Sequence, residues 1–257
     1  MFMRVEQLGE GKPEFAVVGL VHGDEPCGKK AIEKFLNEEH DLKKPVKFII
    51  ANEKALEEDK RFIEADLNRS FPGDRESDMY EERLAAELLE ELEDLTVLDI
   101  HSTRSYPKPF ATMKSFRETD RELVESTGVN KAVLFEDGSG TLTEFVNGII
   151  VESGFQKSDQ AIENAYSIIK NFLAAHGVID DDYVLSEPEY YRYEETVEGD
   201  YEFLAENFER VREGEVYATN GEKKLEAERD FYPVLMSTEG YKGMLGFKAE
   251  KISQIDS

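Results

Sequence analysis

Four short apolar, β-branched runs, each stopped abruptly by polar residues, constrain this chain more than any other feature. Phe15 to Val21 runs into His22-Gly23-Asp24-Glu25, and Val46 to Ala51 runs into Asn52. Thr96 to Ile100 runs into His101-Ser102-Thr103, and Gly148 to Val151 runs into Glu152-Ser153-Gly154. Near-continuous apolar runs of this length are what strands covered on both sheet faces look like. Helical spacing marks the segments between them. Gly28 to His40 carries Ala31, Ile32, Phe35 and Leu36; Met79 to Leu95 carries Leu84, Leu88, Leu92 and Leu95; Asp159 to His176 carries Ile162, Ala165, Ile168, Ile169, Phe172 and Leu173. Strand and helix thus alternate over residues 1–176, which predicts an α/β sheet flanked by helices. Residues 177–257 are rich in Tyr, Phe and Val, are broken by Gly and Pro, and show no long helical period. They predict a small C-terminal β-rich domain, with Asp180-Asp181-Asp182 as the link.

The residues that interrupt the runs are chemically equipped. In open α/β sheets, ligands bind at the carboxyl ends of strands. His22 and Glu25 are three apart, where a turn can aim both at one point, and His101 follows another run. Two histidines and a carboxylate suit zinc and leave a fourth position for water or substrate. Glu152, at the end of its own run, is the candidate general base. Asp99 lies two residues before His101, on the same strand face, where its carboxylate can orient the imidazole. Plainer roles stay open, since His-x-x-Glu arises by chance and such residues also cap helices or bond within cores. The loop from Arg61 to Asp74 holds Arg61, Asn68 and Arg69, a set suited to a carboxylate or a polarised carbonyl; a solvated loop with surface ion pairs is the alternative. His40 and His176 read as helix C-terminal residues, Cys27 as a buried helix-start residue, and Gly138-Ser139-Gly140-Thr141 as a turn. Tyr190-Tyr191-Arg192-Tyr193 reads as alternating strand packing.

Charge narrows the partners. Fifty-seven acids against 31 bases give a formal −26, which repels phosphate backbones and anionic headgroups, so neither nucleic acid nor membrane is an expected partner. The acids are spread along the chain, which suggests a halophilic surface suited to a salt-rich cytoplasm, with an ordinary acidic protein as the alternative. A single cysteine excludes an intramolecular disulfide. Met1 to Gly11 contains no apolar stretch of signal type. The longest apolar runs are about seven residues, against the roughly 20 that span a bilayer. The expected location is cytoplasmic.

The motifs also form an ordered set. Val21-His22-Gly23-Asp24-Glu25-Pro26, Asp66-Leu67-Asn68-Arg69, Asp99-Ile100-His101-Ser102-Thr103 and Val151-Glu152-Ser153-Gly154 follow one another. Over about residues 15–176 the chain resembles the aspartoacylase and succinylglutamate desuccinylase family, relatives of the zinc carboxypeptidases. The resemblance implies a mixed open sheet of that type and one Zn2+ per chain, held by His22, Glu25 and His101. It implies that Arg61 polarises the scissile carbonyl, that Asn68 and Arg69 grip the substrate α-carboxylate, and that Glu152 is the catalytic glutamate. Pro233 to Tyr241 is similar to a family stretch ending in a substrate-contacting tyrosine, here Tyr241. The implied activity is hydrolysis of the amide bond of a small-molecule N-acyl amino acid. A carboxypeptidase-like enzyme of small peptides and a catalytically inactive metabolite-binding protein are the alternatives, and a homo-oligomer is compatible with either. One departure stands out. Aspartoacylases place a further arginine shortly before the catalytic glutamate, whereas Gly138 to Val151 contains no arginine or lysine. Arg104 is the candidate replacement for substrate binding, or else a loop ion pair.

Overall fold

The four apolar runs lie side by side in one large sheet of the computed structural model, which describes residues 3–136 and 140–252. In chain order the elements are β1 (Arg4–Leu8), β2 (Phe15–Gly19), α1 (Cys27–Leu36), β3 (Val46–Ile50), α2 (Glu53–Glu57), α3 (Tyr80–Glu91), β4 (Thr96–Thr103) and β5 (Phe110–Met113). There follow α4 (Glu118–Ser126), β6 (Lys131–Leu134), β7 (Asn147–Phe155), α5 (Asp159–Ala175), β8 (Glu189–Glu198), β9 (Glu202–Phe203), β10 (Val216–Thr219), β11 (Lys224–Glu226), β12 (Tyr232–Val234) and β13 (Met244–Ile252). The sheet has ten strands in the order β1-β3-β2-β4-β7-β5-β6-β8-β13-β12. Its centre, β3-β2-β4-β7, is parallel, and antiparallel pairs occur at β1–β3, β5–β7, β8–β13 and β12–β13. This is the expected mixed open sheet flanked by helices, with a small antiparallel sheet, β11-β10-β9, from the C-terminal part of the chain.

One face of the large sheet is sealed by α1, α4 and α5. Phe35, Leu123, Ile168, Ile169, Phe172 and Leu173 pack on Leu98, Ile100, Ile149 and Val151, each large side chain contributing about 1.5–3 kcal/mol when fully buried. Ser158 caps α5 by accepting from Ala161 N at 3.1 Å. The opposite face is covered in two pieces. Leu84, Ala85 and Leu88 of α3 lie over Val18, Ile49 and Val97. Phe208 lies over Phe110, Val133 and Tyr191, next to the core of the small sheet. Between the two pieces the face opens into a cavity.

The chain after residue 176 serves both sheets: β8, β12 and β13 continue the large sheet, and β9, β10 and β11 make the small one. Tyr190 and Tyr191 are buried on opposite faces of β8, in separate cores. β4 runs on through His101 to Thr103, beyond the end of its apolar run, because β7 continues beside it. Cys27 is buried in the first turn of α1. His40 bonds the Phe35 carbonyl at 2.9 Å, and His176 caps α5 and meets Ser126 Oγ at 3.1 Å. Gly138 and Ser139 of the expected turn lie outside the described residues. Among the described residues, no helix is long and apolar enough to cross a membrane.

Candidate active site

Local backbone geometry places the polar groups. After β2, Leu20 adopts a left-handed conformation (φ +62), uncommon for a branched residue and suited to a sharp exit from the sheet. The turn then folds back so that Glu25 N bonds His22 O at 3.1 Å. Gly23 is required here: a Cβ would lie 2.4 Å from Ala55 C and Lys60 O. That closeness lets Gly23 N donate to Arg61 O at 2.9 Å, tying the His22 turn to the arginine loop. On β4, pairing with β7 shifts register between His101 and Thr103, with His101 opposite Glu152. Such a bulge re-aims side chains at the end of a strand.

The result is a tight donor set. Glu25 Oε1 lies 3.0 Å from His22 Nδ1 and Oε2 lies 3.1 Å from His101 Nδ1. Ligand atoms of the three residues fall within 4.8 Å of one another, and all three side chains are buried. Each imidazole turns its other nitrogen to a carboxylate: His22 Nε2 to Asp66 Oδ1 at 2.9 Å and His101 Nε2 to Asp99 Oδ2 at 2.9 Å. Ionised carboxylates only accept, so each Nε2 bonds its aspartate through a proton, with Arg61 Nη2 also 3.0 Å from His22 Nε2. Each Nδ1 faces Glu25, donating to it when the ring is protonated and free to ligate an ion when it is neutral. This is the arrangement that prepares histidines as metal ligands. Buried His22 Nδ1, 3.0 Å from Glu25 Oε1, has no well-aligned hydrogen-bond partner among the described residues. Zinc bonds of about 2.0–2.1 Å in tetrahedral geometry set ligand atoms about 3.3 Å apart, close to the 3.0 and 3.1 Å from each imidazole Nδ1 to its nearer Glu25 oxygen and inside the 4.8 Å span of the set. The donors therefore fit a divalent ion.

The loop from Arg61 to Asp74 packs against this set. Arg61 Nη1 donates to Glu25 Oε1 at 2.7 Å, and its guanidinium lies 4.9 Å from the centre of the Tyr241 ring. Asp66 caps the single turn Leu67–Arg69 by accepting from Asn68 N at 2.9 Å. Asn68 Oδ1 accepts from Leu142 N at 3.0 Å. The loop is held from below by Glu81, fully buried on α3, which accepts from Ile63 N at 2.6 Å, Glu64 N at 3.0 Å and Ala65 N at 3.1 Å. Arg104 donates to Asp24 Oδ2 at 3.0 Å and to Gln156 Oε1 at 3.0 Å. Its guanidinium lies 5.9 Å from the centre of the Tyr241 ring.

His22, Glu25, His101, Glu152, Arg61, Asn68, Arg69, Arg104 and Tyr241 all line one cavity of about 460 Å³. Its charges are strongly perturbed. Burial would lift the Glu25 carboxyl, yet His22 and His101 hold it well below the usual carboxylate range. Burial opposes charging the imidazoles, yet Glu25 with Asp66 raises His22, and Asp99 with Glu25 raises His101 well above the ordinary value. Glu152 differs. Burial, then the charge of Glu25, pushes its carboxyl up to about 7, and its Oε2 is buried with no hydrogen-bond partner among the described residues. A carboxylate with one oxygen left free and a pKa near neutrality, beside a metal-type donor set, is equipped for proton transfer.

A family model of the succinylglutamate desuccinylase/aspartoacylase catalytic domain matches residues 12–154, more than half of the chain. The chain belongs to the succinylglutamate desuccinylase/aspartoacylase family. Its fold is similar to those of several solved structures. The product-bound ectoine utilization protein EutE (DoeB) from Ruegeria pomeroyi is 18% identical with a TM-score of 0.79, covering 97% of this chain and 88% of that one. The succinylglutamate desuccinylase/aspartoacylase from Rhodobacter sphaeroides is 21% identical with a TM-score of 0.79, covering 96% and 89%. Murine aminoacylase 3 is 20% identical with a TM-score of 0.77, covering 95% and 97%. No curated protein sequence matches the chain significantly.

Several groups at this desuccinylase/aspartoacylase-type site have no signal of their own in the sequence. Asp66 was visible only as a motif neighbour, although it bonds His22 across 44 residues. Asp24 anchors Arg104, and Gln156 reaches Glu25 Oε1 at 3.5 Å. Glu81 looks in the sequence like any acid in a first helical turn. Met113, Phe135, Tyr193, Leu235 and Phe247 add an apolar wall to the cavity; they come from distant stretches that no local period connects.

Proposed function

We propose that this protein hydrolyses the amide bond of an N-acyl amino acid, using a divalent ion, zinc first among the candidates, held by His22, Glu25 and His101. The observation that carries this reading is the buried donor set facing Glu152, with one oxygen left free, in the cavity that also holds Arg61, Asn68 and Arg69. Bound zinc would lower the pKa of a coordinated water and polarise the amide carbonyl. Asp66 and Asp99 keep the Nε2 protons and fix the rings. Glu152 takes the proton of the attacking water at its free oxygen and passes it to the leaving nitrogen. Arg61 meets the charge that develops on the carbonyl oxygen, where a preorganised cation contributes most. Asn68 and Arg69 hold the α-carboxylate, a role suited to the guanidinium fork. Tyr241, its ring beside the guanidinium groups of Arg61 and Arg104, and Arg104 itself line the same cavity and are the remaining substrate-contacting candidates. The acidic surface fits work in a salt-rich cytoplasm.

The test combines metal analysis with free-amine release from N-acyl amino acids in molar salt. Wild-type protein should hold about one equivalent of metal and lose activity to a chelator. Glu152→Gln should keep the metal and lose about 10²–10⁴-fold in kcat. Chelator-resistant turnover, or near wild-type rates in Glu152→Gln, overturns the mechanism. Faster cleavage of dipeptides than of every N-acyl amino acid replaces the deacylase with a peptidase.

A further inference from the structure

Building on the hydrolase reading above, we infer that the substrate of this site carries one carboxylate and, where a second could have been, an apolar group, preferably aromatic. Among the described residues, four cations line the cavity: Arg61, Arg69, Arg104 and Lys114. Three are already paired, Arg61 with Glu25 at 2.7 Å, Arg104 with Asp24 at 3.0 Å and Lys114 with Glu144 at 3.1 Å. Arg69 donates to the Asn68 carbonyl at 2.6 Å and, among the described residues, forms no ion pair. One uncommitted cation matches one carboxylate. A second carboxylate would have to strip a paired cation from its partner or be buried unpaired, and both are unfavourable.

The apolar wall supplies the complementary half. Phe135 follows β6, Tyr193 is on β8 and Phe247 on β13, and their ring centres form a triangle with sides of 5.6, 5.3 and 5.6 Å. Those spacings and their tilted and edge-on contacts are the arrangement aromatic rings prefer, and they leave ring surface for one more. All three are half-buried, with Met113 and Leu235 beside them in the cavity lining. The Tyr193 hydroxyl meets Thr196 Oγ1 at 3.1 Å, so its polar end is satisfied within its own strand. Gly138 to Val151, free of arginine and lysine, contributes Thr141 and Thr143 to the lining and no charge that would hold a second acid.

The apolar group can belong to the amino acid or to the acyl chain, and the test separates the two. Metal-loaded protein is given N-acetyl-L-phenylalanine, N-hexanoylglycine, N-acetyl-L-aspartate and N-succinylglycine, and kcat/KM is measured by amine release. At least one apolar substrate should exceed both dicarboxylates by about tenfold or more. The better of the two apolar compounds shows which end enters the aromatic wall. The same four compounds are added to Glu152→Gln, and the shift in Tm is read without turnover; apolar compounds should stabilise more. Phe135→Arg should reverse both orders by bringing a cation to the wall, and Phe247→Leu should narrow the apolar preference while keeping an apolar core side chain. Preference for a dicarboxylate in kcat/KM or in Tm overturns the inference and leaves the hydrolase reading standing. Apolar stabilisation without any hydrolysis does the opposite. No hydrolysis and no stabilisation by any compound overturns both.

Discussion

The two walls of the cavity are built differently. One wall is the ends of β2, β4 and β7, adjacent parallel strands whose register sets Gly19 opposite Ile100 and His101 opposite Glu152. Its polar groups are held at several points, His22 by Asp66, His101 by Asp99, and the arginine loop by Glu81. The other wall joins β8 and β13 to the loops after β6 and β12, and meets the cavity chiefly through the mutually packed rings of Phe135, Tyr193 and Phe247. Fixed polar geometry suits a reaction whose distances cannot vary, whereas an apolar surface tolerates changes of shape at modest cost. On the proposed reading the first wall, with its arginine loop, carries the chemistry and the grip on one carboxylate, and the second carries the preference for the group beside it.

The sharpest way to break that assignment is Asp99→Asn. It removes the carboxylate that holds the His101 Nε2 proton but no donor to the metal, and such changes cost about 10–100-fold in metal affinity. Titration with a metal buffer should show that loss, while the ratio of apolar to dicarboxylate kcat/KM at saturating metal stays unchanged. A change in that ratio would mean that the two walls act as one unit.

The walls differ in legibility for the same reason that they differ in construction. His22 and Glu25 share one turn, and Asp99 and His101 share one strand face, so spacing alone brought them together. The central strands were visible because burial on both faces leaves continuous apolar runs. β1, an edge strand with no buried residue, and β5 and β6, four residues each, lack the continuous apolar run that marks the central strands. Phe135, Tyr193 and Phe247 meet only after β6 pairs with β8 and β8 with β13. Composition reported the β-richness of residues 177–257 but not that β8, β12 and β13 would complete the large sheet. Partner choice in a sheet depends on long-range register, which single-strand patterns do not encode.

The next effect follows pH. In the metal-free chain the Glu152 carboxyl titrates at about 7, well above the roughly 4.3 of an ordinary glutamate. Between those values the folded chain holds a proton that the unfolded chain releases, so the contribution of Glu152 to stability falls as pH rises through that window. Asp66 works in the opposite sense. Burial would raise it, but His22, Arg61 and Arg69 hold it below the ordinary range, so its contribution is lost as pH falls. Added metal should move the Glu152 midpoint below 7, because a nearby dication favours the carboxylate. Carbon-detected NMR of the carboxyl, assigned by its disappearance in Glu152→Gln, reads both midpoints. Activity should then fall about tenfold per pH unit on the acid side of the metal-bound midpoint, equally for all substrates, since the base belongs to the first wall. Different acid limbs for apolar and dicarboxylate substrates would place a titrating group in the second.

Salt gives the smallest effect and the closest discrimination. A net charge of −26 repels every anionic substrate, and a dicarboxylate more than a monocarboxylate, so a preference for one carboxylate could arise from the field of the whole surface and owe nothing to the aromatic wall. The two origins respond differently. The field is screened over about 10 Å at 0.1 M salt and about 3 Å at 1 M, while contact between a substrate ring and Phe135, Tyr193 and Phe247 is not weakened by ions. Between about 0.1 and 1 M salt the apolar preference should therefore shrink by less than about tenfold and keep its sign. An inversion would transfer selectivity from the wall to the surface. The same titration followed by Tm tests the surface itself: 57 acids against 31 bases should make the fold less stable as salt is withdrawn, and a Tm unchanged from dilute buffer to molar salt would remove the salt-rich cytoplasm from the proposal while leaving the two walls in place.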